Sequence, residues 1–150
     1  MTGDIGLDEL AAAQRRLVEC LVAGGPVPAG FDSVRVAVAA RALLHKRAGE
    51  VARAWPRLAA SLGADWPGVF MRWTDGRSPC GPWRDGWDLA RANRDRLDRA
   101  ALLELAQREA RWSYDGVGEP RRRPLGVRRI PHGVVVQAFG RLVILGGRGF

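Results

Sequence analysis

Two histidines and two cysteines are the only imidazole and thiol groups in this 150-residue chain. A transition-metal site needs such groups converging from set spacings. His45 and His132 belong to different predicted elements, and neither Cys20 nor Cys80 has a companion at C-x-x-C or H-x-x-x-H spacing. Cys80, between Pro79 and Gly81, lies in a predicted loop where a thiol can meet solvent. A nucleophile needs a base beside it, and both histidines are distant in sequence, so the plainer reading is a surface thiol. Asp85 and Asp88 stand three residues apart at a predicted helix start, a spacing that suits capping and the helix dipole better than paired acid–base work. No glycine cluster follows a predicted strand and opens a helix as a phosphate-binding loop must. The expectation is a protein that is not an enzyme by itself, with no metal and no cofactor of its own.

The chemistry that remains is recognition. Residues 1–120 carry 17 of the 24 basic side chains and all 16 acidic ones, a balance of +1, whereas residues 121–150 hold seven arginines and no acid. The RRRP run at 121–124 and the Arg128-Arg129 pair could contact phosphates, giving salt-dependent nucleic-acid binding. Only Phe139 and Phe150 are available there for stacking, which argues against that class. The same segment could instead accept an extended peptide on a strand edge, its arginines selecting acidic side chains. Two further features suit a protein partner. Trp83 and Trp87 flank Arg84, Asp85 and Gly86 beside a loop, where aromatic residues make good anchors. Arg41 interrupts the apolar stripe of a long predicted helix, so its guanidinium either snorkels from the core edge or enters a polar contact.

These residues must be positioned by a largely helical scaffold. The stripe Val34, Val38, Leu44, Ala48, Val51, Trp55 predicts a central helix capped by Asp32 or Ser33. Pro56 turns Trp55 out of it, Gly63 is placed to end the next short helix in a left-handed conformation, and Asp65 to cap the one after. Trp55, Trp66, Trp73 and Trp112 sit on helix stripes and read as core. Further helices are expected over 7–23, from near Trp83 or Asp85, and from a cap at Asp98 through Trp112. After Pro120 the pattern becomes β-branched. Val134–Phe139 and Leu142–Leu145 read as a hairpin around Gly140-Arg141, and a strand over Leu125–Ile130 precedes a turn at Pro131, His132 and Gly133. No apolar run approaches the roughly 20 residues that span a bilayer. The acidic start MTGDIGLDEL lacks a secretory pattern and the cysteines form no disulfide framework, so the expected compartment is the reducing cytoplasm.

One series of residues is familiar. Trp55-Pro56 is followed by Gly63, by Trp66 three residues further on, and by Phe70; LVAGGPVPAGFD lies upstream, DGWDLARA and ELAQREARW downstream. Over residues 15–115 the chain resembles the helical N-terminal domain of the HvfC/BufC-type proteins, most of all a short single-domain actinobacterial version. The resemblance implies a non-catalytic partner of a multinuclear non-heme iron oxidative enzyme, of the kind that modifies cysteine-containing, ribosomally made peptides. It implies enzyme contact around Arg41, Trp83, Asp85 and Trp87. It implies a leader-peptide edge formed by Arg128, Arg129 and the strand Val134, Val135, Val136. The larger relatives have a full second domain where this chain has about 30 residues.

The sequence therefore predicts an α+β protein, mostly α. A five-to-six-helix bundle occupies 1–115, a linker 116–123, and a short antiparallel hairpin or three-stranded sheet 124–150. The expected role is that of an accessory protein, forming a heterodimer with the iron enzyme and recruiting the leader of a precursor peptide. The alternative is a small basic nucleic-acid-binding protein, which is the less expected of the two.

Overall fold

In the computed structural model, which describes residues 4–146, Asp32 accepts hydrogen bonds from the amides of Val34 at 2.9 Å and Arg35 at 3.2 Å. That side chain starts the central helix, Ser33–Ala54, by satisfying amides with no partner in the first turn. In chain order the helices are α1 (Asp4–Ala23), α2 (Ser33–Ala54), α3 (Pro56–Leu62), α4 (Trp66–Thr74), α5 (Pro82–Ala92) and α6 (Arg99–Arg111). Trp55 leaves the helical region, with φ −130° and ψ 67°, as the following proline demands. Asp98 caps α6 through the Ala101 amide at 2.8 Å. Trp112, expected on the last helix, lies in the extended segment after it, and two further local expectations fail. Gly63 has a positive φ of 59° but ψ −139°, so it turns the chain outside the left-handed helical well. Asp65 caps nothing; its carboxylate lies 3.0 Å from Arg72 Nη2 instead.

The main core gathers Val51, Trp55, Leu58, Phe70, Trp87, Leu89 and Leu105, all essentially inaccessible to solvent. Its aromatic rings meet edge-on or tilted: Trp55 to Trp87 at 6.1 Å, Trp83 to Trp87 at 5.3 Å, and Trp87 to Tyr114 at 5.2 Å between centroids. Such contacts add to plain burial of the rings. Gly86 is required where α5 crosses this cluster, because a Cβ there would run into the Trp55 indole. The predicted stripe on α2 is buried only from Ala48 onwards. Val34 and Val38 are 70% and 66% exposed, and Val36 is buried in their stead. A 22-residue helix is about 33 Å long, twice the roughly 16 Å of the 11-residue α5, so α5 can cover only about half of it; α1 packs on α2 as well.

The β region begins with a ribbon, β1 (Trp112–Ser113) paired with β2 (Arg121–Arg122). Then β3 (Leu125–Ile130), β4 (Gly133–Ala138) and β5 (Arg141–Gly146) form an antiparallel sheet in that order. The residues expected to be a linker thus include a strand that returns to the end of α6, where the Arg123 amide donates to the Arg111 carbonyl at 2.8 Å. The β4–β5 turn is Phe139-Gly140, one residue earlier than predicted. Both φ values are positive, 47° and 84°, the pattern of a type I′ hairpin turn. Residues 147–150, and with them Gly147, Gly149 and Phe150, lie outside the described residues.

The inner sheet face packs on α6. Val135 meets Ala106 and Ala110, with Leu103, Ile130, Leu142 and Ile144 around them. Gly126 lets β3 approach so closely that a Cβ would strike the Ala110 carbonyl oxygen. Helix α6 therefore serves two cores, giving Ala101 and Leu105 to the bundle and Ala106 and Ala110 to the sheet. The architecture is α+β, mostly helical, with a three-stranded C-terminal sheet.

Candidate functional site

The residues predicted to meet an enzyme partner divide between surface and interior. Arg41 is exposed on α2, and Trp83 is half-buried at the start of α5. Asp85 and Trp87 are not contact residues on this surface. Trp87 is fully buried in the aromatic cluster, and the Asp85 carboxylate is 2% exposed. Asp85 Oδ2 accepts from Arg47 Nε at 2.9 Å, and its Oδ1 accepts from the Cys80 amide at 3.0 Å. It therefore pins the 75–81 loop to α2. Alternation along α5 decides this: Trp87 and Ala90 face inwards, and a carboxylate one turn before Leu89 is carried in with them. Trp83 stays at the rim, edge-on to Trp112 at 4.9 Å, with the Trp55 indole nitrogen donating to its carbonyl oxygen at 2.9 Å.

The predicted peptide-binding residues also divide. Strand β4 is the central strand, hydrogen-bonded on both sides, so Val134, Val135 and Val136 offer no free backbone edge. Val135 is fully buried against α6. Within the sheet the edges belong to β3 and β5. Arg128 is tethered, with Nε 3.5 Å from Glu109 Oε2 and Nη1 donating to the Val127 carbonyl at 2.8 Å. Glu109 also holds Arg91 Nε at 2.9 Å, so this carboxylate ties α5 and β3 to α6. Arg129 is exposed.

The outer face of the sheet is the feature that sequence reading missed. Pleating and register put Leu125, Val127 and Arg129 of β3 beside Ala138, Val136 and Val134 of β4, and these beside Arg141, Val143 and Leu145 of β5. Leu125, Val127, Val143 and Leu145 are all more than half exposed, and Val134 and Val136 are half-buried between them. Arg129 and Arg141 stand at diagonal corners. At the hairpin tip Phe139 is 86% exposed with a positive φ, a strained position for a bulky side chain. The signal was present in the sequence: both alternating sets of β3–β5 are mainly apolar, broken by Arg129 and Arg141 on one face and Arg128 and Gln137 on the other, which suits a sheet covered on two sides. Contiguous exposed apolar surface of this kind marks an interaction site.

The other candidates stay apart. His45, His132 and Cys80 are exposed and Cys20 is buried. Among the described residues no three His, Cys, Asp or Glu side chains form a metal-capable group, and no helix is long and apolar enough to cross a membrane. In the loop after Tyr114, Asp115 accepts from the amides of Val117 at 2.9 Å and Gly118 at 2.8 Å, which holds its carboxyl below the usual range. Tyr114 donates to Asp88 at 2.8 Å, and burial pushes its hydroxyl pKa up.

A family model described as "SCO6045-like, C-terminal domain" matches residues 11–95, which runs from within α1 through α5 and stops before α6 and the sheet. A UPF0276 protein of Streptomyces avermitilis is 42% identical over 105 residues, covering 70% of this chain. The matched segment spans about a fifth of the length of that relative. No solved structure matches the chain.

Proposed function

Because the chain belongs to the SCO6045-like C-terminal domain family, we propose that it is a non-catalytic binding module that serves a larger enzyme. The helical bundle docks on a multinuclear non-heme iron oxidative enzyme, and the C-terminal sheet receives a ribosomally made, cysteine-containing precursor peptide. By holding both, the protein raises the effective concentration of the substrate cysteine at iron atoms bound by the other polypeptide. The observation that carries this reading is the outer face of β3–β5, finished with apolar side chains and covered by nothing in the described chain. A sheet built with two apolar faces loses free energy unless both are covered.

Two further points support it. The S. avermitilis relative carries a similar segment as a fifth of a longer polypeptide, and a module that is joined to a large chain in one protein is a natural partner for the remainder of that chain. The motif series from Trp55 to Phe70, which resembles HvfC/BufC-type proteins, supports the choice of enzyme class. Within this role Arg41 and the Trp83 rim are the enzyme-facing candidates. Arg129, Arg141, Phe139 and the valines of the outer face are the peptide-facing ones.

The direct test is size-exclusion chromatography with light scattering. The S. avermitilis protein, shortened by its matching segment, is mixed with this chain, with and without a short cysteine-containing precursor peptide. A one-to-one complex that strengthens when the peptide is present is the expected result. No complex under either condition ends the proposal.

A further inference from the structure

Arginines of the bundle are matched with carboxylates: Arg47 with Asp85, Arg84 with Glu119 at 2.8 Å, and Arg91 with Glu109. Three arginines at the end of the bundle have no such carboxylate among the described residues and share one lining. Arg111, Arg122 and Arg123 line one cavity of about 610 Å³, between the end of α6, the β1–β2 ribbon and the β4–β5 turn, and no acidic residue lines it. Arg123 is held by neutral groups, Nε donating to the Trp112 carbonyl at 3.3 Å and Nη2 to Ser113 Oγ at 3.1 Å. Arg122 lies over the Trp112 ring, its guanidinium carbon 5.1 Å from the centroid. In the loop before β2, Asp115 accepts from two backbone amides, and it does not line the cavity. Gln137 and Gly140 complete the wall, the Gln137 amide turned so that its nitrogen donates to the Arg123 carbonyl at 3.0 Å and its oxygen accepts from the Gly140 amide at 3.1 Å.

We propose that this cavity is an oxyanion receptor that takes one carboxylate of an extended peptide. Arg111, Arg122 and Arg123 bring three positive charges to the lining of one concavity with no carboxylate among them, so an anion bound there is attracted by each. Two of the three are already oriented by contacts with neutral groups, so little side-chain freedom is lost on binding. The walls formed by Trp112 and Pro124 are apolar, which suits a carboxylate carried on a chain better than a small hydrated ion. A nucleic-acid strand fits less well. Trp112, the one aromatic residue of the lining, has a ring face under Arg122 and meets Trp83 edge-on, which leaves it poorly placed for base stacking. This inference rests on the peptide-receiving role proposed above and gives it a chemistry: the peptide presents an Asp or Glu side chain, or its own C-terminus.

The test uses the purified chain alone, so docking on an enzyme does not enter it. Nitrogen-labelled protein is titrated, at low salt, with acetyl-hexaglutamate amide, with hexa-alanine bearing a free C-terminus, with acetyl-hexaglutamine amide, and with a thymidine dodecamer. Saturable shifts of the Arg122 and Arg123 Nε–H signals and of the Gly140 amide are expected with the first or second peptide and not with the third. Which of the two binds tells a side-chain carboxylate from a terminal one. The variant Arg111→Gln/Arg122→Gln should weaken that binding by about tenfold or more, the loss of two charge-assisted contacts. Arg15→Gln/Arg16→Gln, with the same net charge, should change it less than about twofold. Arg123 is left intact because it braces the ribbon, and an unchanged amide spectrum shows that the double variant is folded. Absence of shifts with both carboxylate peptides overturns the proposal, as does equal weakening in the two double variants. Tighter binding of the thymidine dodecamer at the same signals assigns the cavity to nucleic acid instead. None of these results touches the enzyme-docking assay, so the two readings fail separately.

Discussion

Arg47 Nε donates to Asp85 Oδ2 at 2.9 Å across 38 residues of sequence, and this buried ion pair fastens the middle of α2 to the start of α5. Asp85 does a second job with its other oxygen by holding the Cys80 amide. Removing one member of such a pair leaves an uncompensated charge in the interior. Asp85→Ala should lower stability by about 3–5 kcal/mol, measured by urea denaturation. Adding Arg47→Ala should restore part of the loss, because the stranded guanidinium goes with it. Full additivity in that double-mutant cycle would mean the two residues do not interact.

Gly126 is the point at which the sheet touches α6 most closely. Gly126→Ala forces β3 away from the Ala110 carbonyl and should cost about 1–3 kcal/mol, as overpacking does. The loss should appear as faster hydrogen exchange in β3–β5, while the near-ultraviolet signal of the tryptophan cluster is kept. An unchanged melting temperature would show that the sheet does not lean on the helix there.

The outer sheet face can be made polar without touching the core. Val127→Glu/Val143→Glu alters two exposed positions and should change stability by only about 0.5 kcal/mol per site. Under the proposed function it should abolish the peptide-dependent strengthening of the complex. A variant that still shows that strengthening would remove the outer face from the peptide site.

The loop after Tyr114 has a defined acid sensitivity. Asp115 has a folded-state pKa depressed below its ordinary 3.8, first by the Val117 amide and then by the Gly118 amide. A depressed carboxyl stabilises the fold above its unfolded value, and that stabilisation is lost as pH falls through the lower, folded value. Amide exchange at Val117 and Gly118 should therefore be pH-insensitive, after correction for intrinsic rates, above about pH 5, and should accelerate below 3.8. In Asp115→Asn the acid step should vanish.

Nucleic-acid binding makes a different forecast. A protein using Arg121, Arg122 and Arg123 on phosphates would lose affinity steeply with salt, with a slope that falls by roughly one unit per arginine removed. The peptide-binding reading predicts weak, shallow-sloped binding to duplex and single-stranded DNA at physiological salt, measured by fluorescence anisotropy.

What could be read from the sequence follows the range of the forces involved. Caps and breakers act within a few residues, so Asp32, Pro56 and Asp98 were legible and placed three helix starts. The strands were legible from their β-branched runs, with the last turn displaced by one residue. Burial of Asp85 was not, since it depends on Arg47 arriving from another helix. Nor was the central position of β4: local pattern names strands, but their order is set by which partner each finds, and β3 closing on Gly133–Ala138 turned a supposed edge into the middle. The aromatic residues divided the same way. Trp55 and Trp66 were readable as core from the stripe, whereas Trp87 looked like a surface anchor until α5 was packed against Trp55.

Leu105 and Ala106 are successive residues of α6 that belong to different cores. A shaft gripped from both sides cannot swivel, so under the proposed function whatever the sheet carries is delivered at a fixed bearing and distance from whatever clasps the bundle. A passenger chain would then be threaded as by a jig, its reach set by how many of its own residues separate the gripped portion from the reacting thiol.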